Sequence, residues 1–169
     1  MYQDYKDLLS VFQSHGVKYL VVGGFAVIYH SQPRFTKDMD LFIKADPENA
    51  KATYAALAEF GAPLEDITPE DLTDRNSFFR FGREPKGFDI LPAIPGIDFD
   101  DAWQRRVETV VDAPTGLKAN FISADDLIAS KLASGRPQDL ADADAVRKAA
   151  ESQRPQAKKK PPEPSSSNE

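Results

Sequence analysis

Two aspartates, Asp38 and Asp40, stand in the segment DMDLFIK, which otherwise reads as a strand bound for the interior. Met39, Leu41 and Ile43 alternate with Asp38, Asp40 and Phe42, so both carboxylates leave one face, roughly 7 Å apart along the backbone. Carboxylates held that close repel each other unless a proton or a cation compensates. Either the strand starts in solvent with its acids hydrated, or the pair exists to hold a cation. The chain has no Cys and only two His, His15 and His30, which excludes thiolate and His-rich metal sites. A metal here must sit on oxygen, which points to Mg²⁺ or Mn²⁺. Asp-x-Asp on a strand can hold one such ion, or two about 4 Å apart, the arrangement used for in-line displacement at phosphorus.

The preceding residues supply a counterpart. KYLVVG reads as a buried strand, and Gly23-Gly24 leads from it into the short helix FAVIYHS. Glycines at such a junction allow close backbone approach and leave N–H groups free at a helix N-terminus, a ready site for phosphates. With Asp38 fourteen residues after Gly24, the two strands can pair and bring the phosphate cradle and the carboxylates to one edge. Asp89, the one acid in GFDILPAI, is either a third carboxylate, as metal ligand or as base toward an incoming hydroxyl, or an edge-strand acid facing water. Lys131 shares a helix face with Leu127 and Ile128. It either snorkels outward or is wanted inside, where it suits charge developing on a leaving pyrophosphate. Arg34 and Thr36 lie in the loop before the acidic strand, placed for phosphate or base contact or simply loop residues. His30 is assigned to packing.

The wider pattern is α+β. An amphipathic helix carries Tyr5, Leu8, Leu9 and Phe12 at helical spacing and ends near Gly16. Asp46-Pro47 caps a helix that Gly61 closes. FFRFG and FDILP form a hairpin across REPKG, DFDDAWQRR is a short helix, and VETVV and KANFI are strands. DLTDRNS is ambiguous. Ser123 with Asp126 resembles a capping box before ADDLIASKLAS, and QDLADADAVRKAA is the last helix. The expectation is a mixed sheet with flanking helices and a helical C-terminal part, in one domain over residues 1–151. Residues 152–169 hold four of the thirteen prolines and read as a disordered Pro/Ser/Lys tail. Arg154 and Lys158 to Lys160 against Glu163 and Glu169 give that tail +2, leaving −8 on the remainder of a chain whose net charge is −6. An acidic body argues against tight nonspecific nucleic-acid binding. No apolar run approaches the ~20 residues of a membrane span, and the cytoplasm is the simplest compartment.

Taken together, VGGFAV, RFTKDMDLFI, Lys131 in DLIASKLASG, and RPQDLADAD resemble the four sequence elements of the nucleotidyltransferase superfamily's AbiEii-type branch, found among toxin–antitoxin and phage-defence proteins. The resemblance covers roughly residues 18–147. Phe25 departs from it, standing where many members carry Ser or Thr, and Gln138 replaces a common Lys. The resemblance implies Mg²⁺-dependent transfer of a nucleoside monophosphate from an NTP to a hydroxyl, on an RNA end or a protein. It also implies a cognate antitoxin or toxin as partner. By that likeness Asp38, Asp40 and Asp89 bind metal, with Lys131 they form the catalytic set, and Gly23, Gly24, Arg34, Thr36, Lys131, Arg136 and Asp139 bind nucleotide. Asp142 completes the Arg-x-x-Asp-x-x-Asp element; Arg136, Asp139 and Asp142 have an equally direct structural reading, since an acid in a helix's first turn complements its dipole. Two other readings stand beside the enzyme: a non-catalytic nucleotide- or partner-binding module, and a protein-modifying antitoxin.

The tail reading has a simple check. Deleting residues 153–169 is expected to leave the melting temperature nearly unchanged; a loss of several degrees contradicts it.

Overall fold

The computed structural model describes residues 1–153. The tail expectation therefore lies almost wholly outside the described residues. Helix α1 (Gln3–Ser14) buries Tyr5, Leu8, Leu9 and Phe12 completely, the set its periodicity selects. Strand β1 (Tyr19–Val22) is buried along its whole length. Helix α2 (Gly23–His30) begins at Gly23 itself, so both glycines belong to its first turn rather than to a link before it. Strand β2 (Met39–Ile43) starts one residue after Asp38. In helix α3 (Pro47–Phe60) the Asp46 carboxylate accepts from the Asn49 N–H at 2.7 Å, Pro47 fills the first turn and Gly61 closes the end at φ +94°. These are the caps its sequence announces.

The ambiguous stretch resolves into a 3-10 turn, Pro69–Thr73, that buries Leu72. Strands β3 (Phe79–Arg83) and β4 (Lys86–Leu91) form the expected hairpin. Helix α4 (Phe99–Gln104) and strands β5 (Val107–Asp112) and β6 (Leu117–Phe121) follow. Helices α5 (Ala124–Ser134) and α6 (Pro137–Ser152) pack against each other. Half of the expected capping box forms on α5: Ser123 Oγ accepts from the Asp126 N–H at 3.2 Å. The Asp126 carboxylate accepts from Ser123 Oγ at 3.0 Å and forms a two-pronged pair with Arg105 at 2.9 and 3.0 Å, a stronger contact than a backbone N–H offers.

The six strands form one mixed sheet in the order β3-β4-β2-β1-β6-β5. β1 pairs antiparallel with β2 and parallel with β6, while β4 runs parallel to β2. Met39, Leu41 and Ile43 are fully buried with Phe88 and Ile90 beside them. The rings of Tyr5 from α1 and Phe60 from α3 meet Phe88 at 5.1 and 5.5 Å, so these two helices cover that face. On the opposite face Phe42 meets Phe99 of α4 at 5.0 Å. Asp40 shares that second face, and the register sets it opposite both Val22 and Asp89. The structure is thus α+β: a mixed sheet, helices at its faces and a helical C-terminal pair.

Candidate active site

Every residue that the sequence nominates as a site residue lines one cleft of about 540 Å³: Gly23, Gly24, Arg34, Thr36, Asp38, Asp40, Asp89, Lys131, Arg136 and Asp139. The topology explains the convergence. β1 and β2 are neighbours, so the first turn of α2 stands beside the start of β2; β4 on the other flank brings Asp89 into register with Asp40. Helices α5 and α6 supply Lys131 and the Arg136–Asp139–Asp142 element from across the cleft.

The glycines make room for side chains. Gly23 has φ +64°, and a Cβ there would come within 2.0 Å of Asp40 Oδ2. A Cβ on Gly24 would lie 2.4 Å from Thr36 Oγ1, and one on Gly87 2.4 Å from Asp38 Oδ1. Each would require a carboxylate or hydroxyl of the site to move. Helix α2 also lacks a side-chain N-cap, so no side chain competes for the N–H groups of its first turn.

Charge is concentrated at this edge. Burial, and then the neighbouring charge of Asp89, push the Asp40 carboxyl up to about 7; Asp38 adds to the rise and Lys131 opposes it. Asp89 is buried and gripped at both oxygens by Arg80, Nε to Oδ1 at 2.7 Å and Nη2 to Oδ2 at 3.1 Å. This settles its environment: Asp89 is not a hydrated edge-strand acid. Lys131 does not snorkel. Its ammonium lies 3.1 Å from Asp142 Oδ2 and 3.4 Å from Asp139 Oδ1, with 14% of the side chain exposed. Arg34 Nη1 reaches Asp142 Oδ1 at 2.9 Å, and Gln138 Nε2 donates to the same oxygen at 2.9 Å. Burial pushes the Asp139 carboxyl up, but hydrogen bonds from Arg136 and Ser134 and the hydrogen bond and charge of Lys131 outweigh it and hold it at about 2. Asp139 and Asp142 thus fix three cations, Arg34, Lys131 and Arg136, along one wall. His30 donates through Nε2 to the Ile122 carbonyl at 2.6 Å and does not line the cleft. Phe25 packs on the core, its ring 5.3 Å from Tyr5.

Arg80 and Gly87 were not singled out from the sequence. The signal for Arg80 lay in the hairpin: with Arg83 opposite Lys86, counting back along both strands sets Arg80 opposite Asp89. The acids offer only carboxylate oxygen, which fits a hard divalent cation. Among the described residues no three acidic or histidine side chains already stand as a metal cage. Asp38 and Asp40 face the cleft, while Asp89 is held by Arg80.

The residue range 3–150 matches the family described as a nucleotidyltransferase of unknown function, DUF6036. The chain belongs to that family of the nucleotidyltransferase superfamily. Among solved structures, it is similar to the lincosamide antibiotic adenylyltransferase LnuA in its lincomycin-bound form. The TM-score is 0.55 at 17% identity, over 87% of this chain and 96% of that one. That likeness is one of fold. No curated protein matches the sequence.

Two outcomes are expected. A carboxyl raised in the folded state favours the protonated fold, so in chelator Asp40 destabilises the protein as pH rises through about 7 and does so less as pH falls toward 4. In chelator at pH 8, Asp40→Asn should raise the melting temperature by about 2 °C or more, a gap that closes toward pH 4. Equal melting at both pH values contradicts the crowding of charge at Asp40. Gly23→Ala should cost about 1–3 kcal/mol in urea unfolding through strain at positive φ and the clash with Asp40.

Proposed function

We propose that this chain is a divalent-cation-dependent nucleotidyltransferase that moves a nucleoside monophosphate from an NTP to a hydroxyl. The observation that carries the reading is the in-register pair Asp40 and Asp89 beside Asp38, facing a wall of three fixed cations across the first turn of α2. Asp38 and Asp40 hold the cation, Mg²⁺ or Mn²⁺, with Asp89 as third ligand or base. A bound divalent cation supplies Lewis acidity at the α-phosphate and neutralises the carboxylates. The N–H groups of Gly23 and Gly24, with Thr36, cradle the triphosphate. Lys131, Arg34 and Arg136 face the charge that accumulates on the leaving pyrophosphate. Asp139 and Asp142 act through those cations by holding them in place. The acceptor oxygen forms a bond to the α-phosphorus, the bond to the β-phosphate oxygen breaks, pyrophosphate leaves, and the acceptor's proton passes to Asp89. For that step the proton must reach a lone pair that the two Arg80 hydrogen bonds, one to each Asp89 oxygen, leave open.

The acceptor follows from likeness alone. The motif resemblance to the AbiEii branch supports an RNA end or a protein side chain, and a role as toxin or antitoxin of a two-gene pair. The fold shared with an adenylyltransferase named for an antibiotic substrate supports a small-molecule hydroxyl as well. No described helix is long and apolar enough to cross a membrane, which fits work in the cytoplasm. One observation favours a second reading, a binding module without turnover: Arg80 occupies both oxygens of Asp89.

Transfer from α-labelled NTPs to RNA, protein lysate and small hydroxylic compounds separates the two. Wild-type protein is expected to label one class of acceptor in Mg²⁺ or Mn²⁺ and none in chelator. Asp89→Asn should lower the rate by about 10²-fold or more without loss of fold. Binding of NTP with no transfer to any acceptor supports the binding module. Transfer by Asp89→Asn at the wild-type rate removes Asp89 from the catalytic set.

A further inference from the structure

The cleft wall is mostly glycine and charged side chains, joined by Thr36, Pro137, Gln138 and one aromatic ring. Among the described residues Phe35 is the single aromatic that lines it, and 81% of it is exposed. Lone exposed apolar residues are ordinary on protein surfaces, and exposure alone says nothing about a ligand. What sets Phe35 apart is how its neighbours are held. On one side Arg34 is tied to Asp142 at 2.9 Å. On the other, Thr36 fills the space that a side chain on Gly24 would need, and the Lys37 carbonyl accepts from the buried Tyr5 hydroxyl. The segment is anchored on both sides of Phe35 by side-chain contacts to α6, α2 and α1, and a ring on an anchored backbone stays at the cleft.

The charged floor and wall suit a polyphosphate, and beyond the guanidinium planes of Arg34 and Arg136 and the ring of Pro137, only Phe35 offers a nucleobase an aromatic face. Arg34, Lys131 and Arg136 are each engaged by Asp139 or Asp142. A heteroaromatic base gains most from a π-face, and stacking on an aromatic side chain is worth about 1–3 kcal/mol per base.

We propose that Phe35 is the base-stacking platform of the nucleotide cleft and makes the site prefer purine over pyrimidine triphosphates. The inference rests on the nucleotidyltransferase reading of the cleft. Stacking strength rises with the area of overlap, and a purine's two rings cover more of a phenyl face than a pyrimidine's one. A phenyl ring reads no hydrogen-bond pattern, so adenine and guanine are held about equally.

The test is calorimetric binding of the non-hydrolysable α,β-methylene analogues of ATP, GTP, CTP and UTP in Mg²⁺, with inorganic tripolyphosphate as a probe lacking a base. Wild-type protein should bind the two purine analogues several-fold more tightly than the two pyrimidine ones. Phe35→Ala should lose about tenfold or more in purine affinity, less in pyrimidine affinity, and none for tripolyphosphate. Its melting temperature should match wild type, because the ring lies in solvent. Phe35→Trp should restore purine binding. Equal affinity of wild type and Phe35→Ala for ATP and GTP analogues, or equal affinity of wild type for all four, overturns the proposal while tripolyphosphate binding upholds the cleft. Failure of wild type to bind either nucleotides or tripolyphosphate overturns the cleft reading and this inference with it.

Discussion

The structure turns on a repulsion. Asp40 is largely buried in a sheet, in register with Asp89 and next to Asp38, with its carboxyl pushed up to about 7. A fold does not gather acids in this way to gain stability, since each buried carboxylate raises the cost of ionising the next. The surrounding structure accommodates the charge at several points. Gly23 and Gly87 give up their side chains to leave space for Asp40 and Asp38. Arg80 crosses from the edge strand to Asp89, and Lys131 lowers the cost at Asp40 from the far wall. Remaining charge is left for something that enters the cleft, and a stability–function trade-off at that point is what an active site displays.

The helical C-terminal pair makes sense in the same terms. A cationic wall facing three acids would collapse onto them if its side chains were free. Asp139 and Asp142, both buried at the start of α6, hold Lys131, Arg34 and Arg136 in fixed positions instead. The cleft therefore keeps Asp38, Asp40 and Asp89 apart from a wall of three cations and two acids, across a gap that an anion and a cation can bridge together. Electrostatic preorganisation of this kind avoids reorganisation during reaction.

Much of this was legible in the sequence because its components are local. Asp-x-Asp, the glycine pair and the cap at Asp46 are read from neighbouring residues, and the face shared by Leu127, Ile128 and Lys131 from helical spacing. The shared cleft followed from adjacency of the first two strands, which β1 and β2 satisfy. What escaped was long-range. The space that Asp38 takes at Gly87 depends on which strand lies beside it, and the grip of Arg80 on Asp89 depends on hairpin register. Asp126 looked like a cap partner because Ser123 is near in sequence, and its carboxylate does accept from Ser123 Oγ, but Arg105, distant in sequence, binds both of its oxygens as well. The start of α2 at Gly23 was missed because glycine reads as a breaker, while here it opens the helix at φ +64° and its missing Cβ leaves room for Asp40.

The central claim, that Asp38 and Asp40 are gathered to hold a divalent cation under a nucleotide's phosphates, is tested most directly by crystallography. Crystals grown with Mn²⁺ and a non-hydrolysable NTP should show an anomalous manganese peak between Asp38 and Asp40, with the triphosphate over Gly23 and Gly24 facing Lys131. A triphosphate bound elsewhere, or a cleft that takes up the nucleotide with no manganese at either aspartate, contradicts the account.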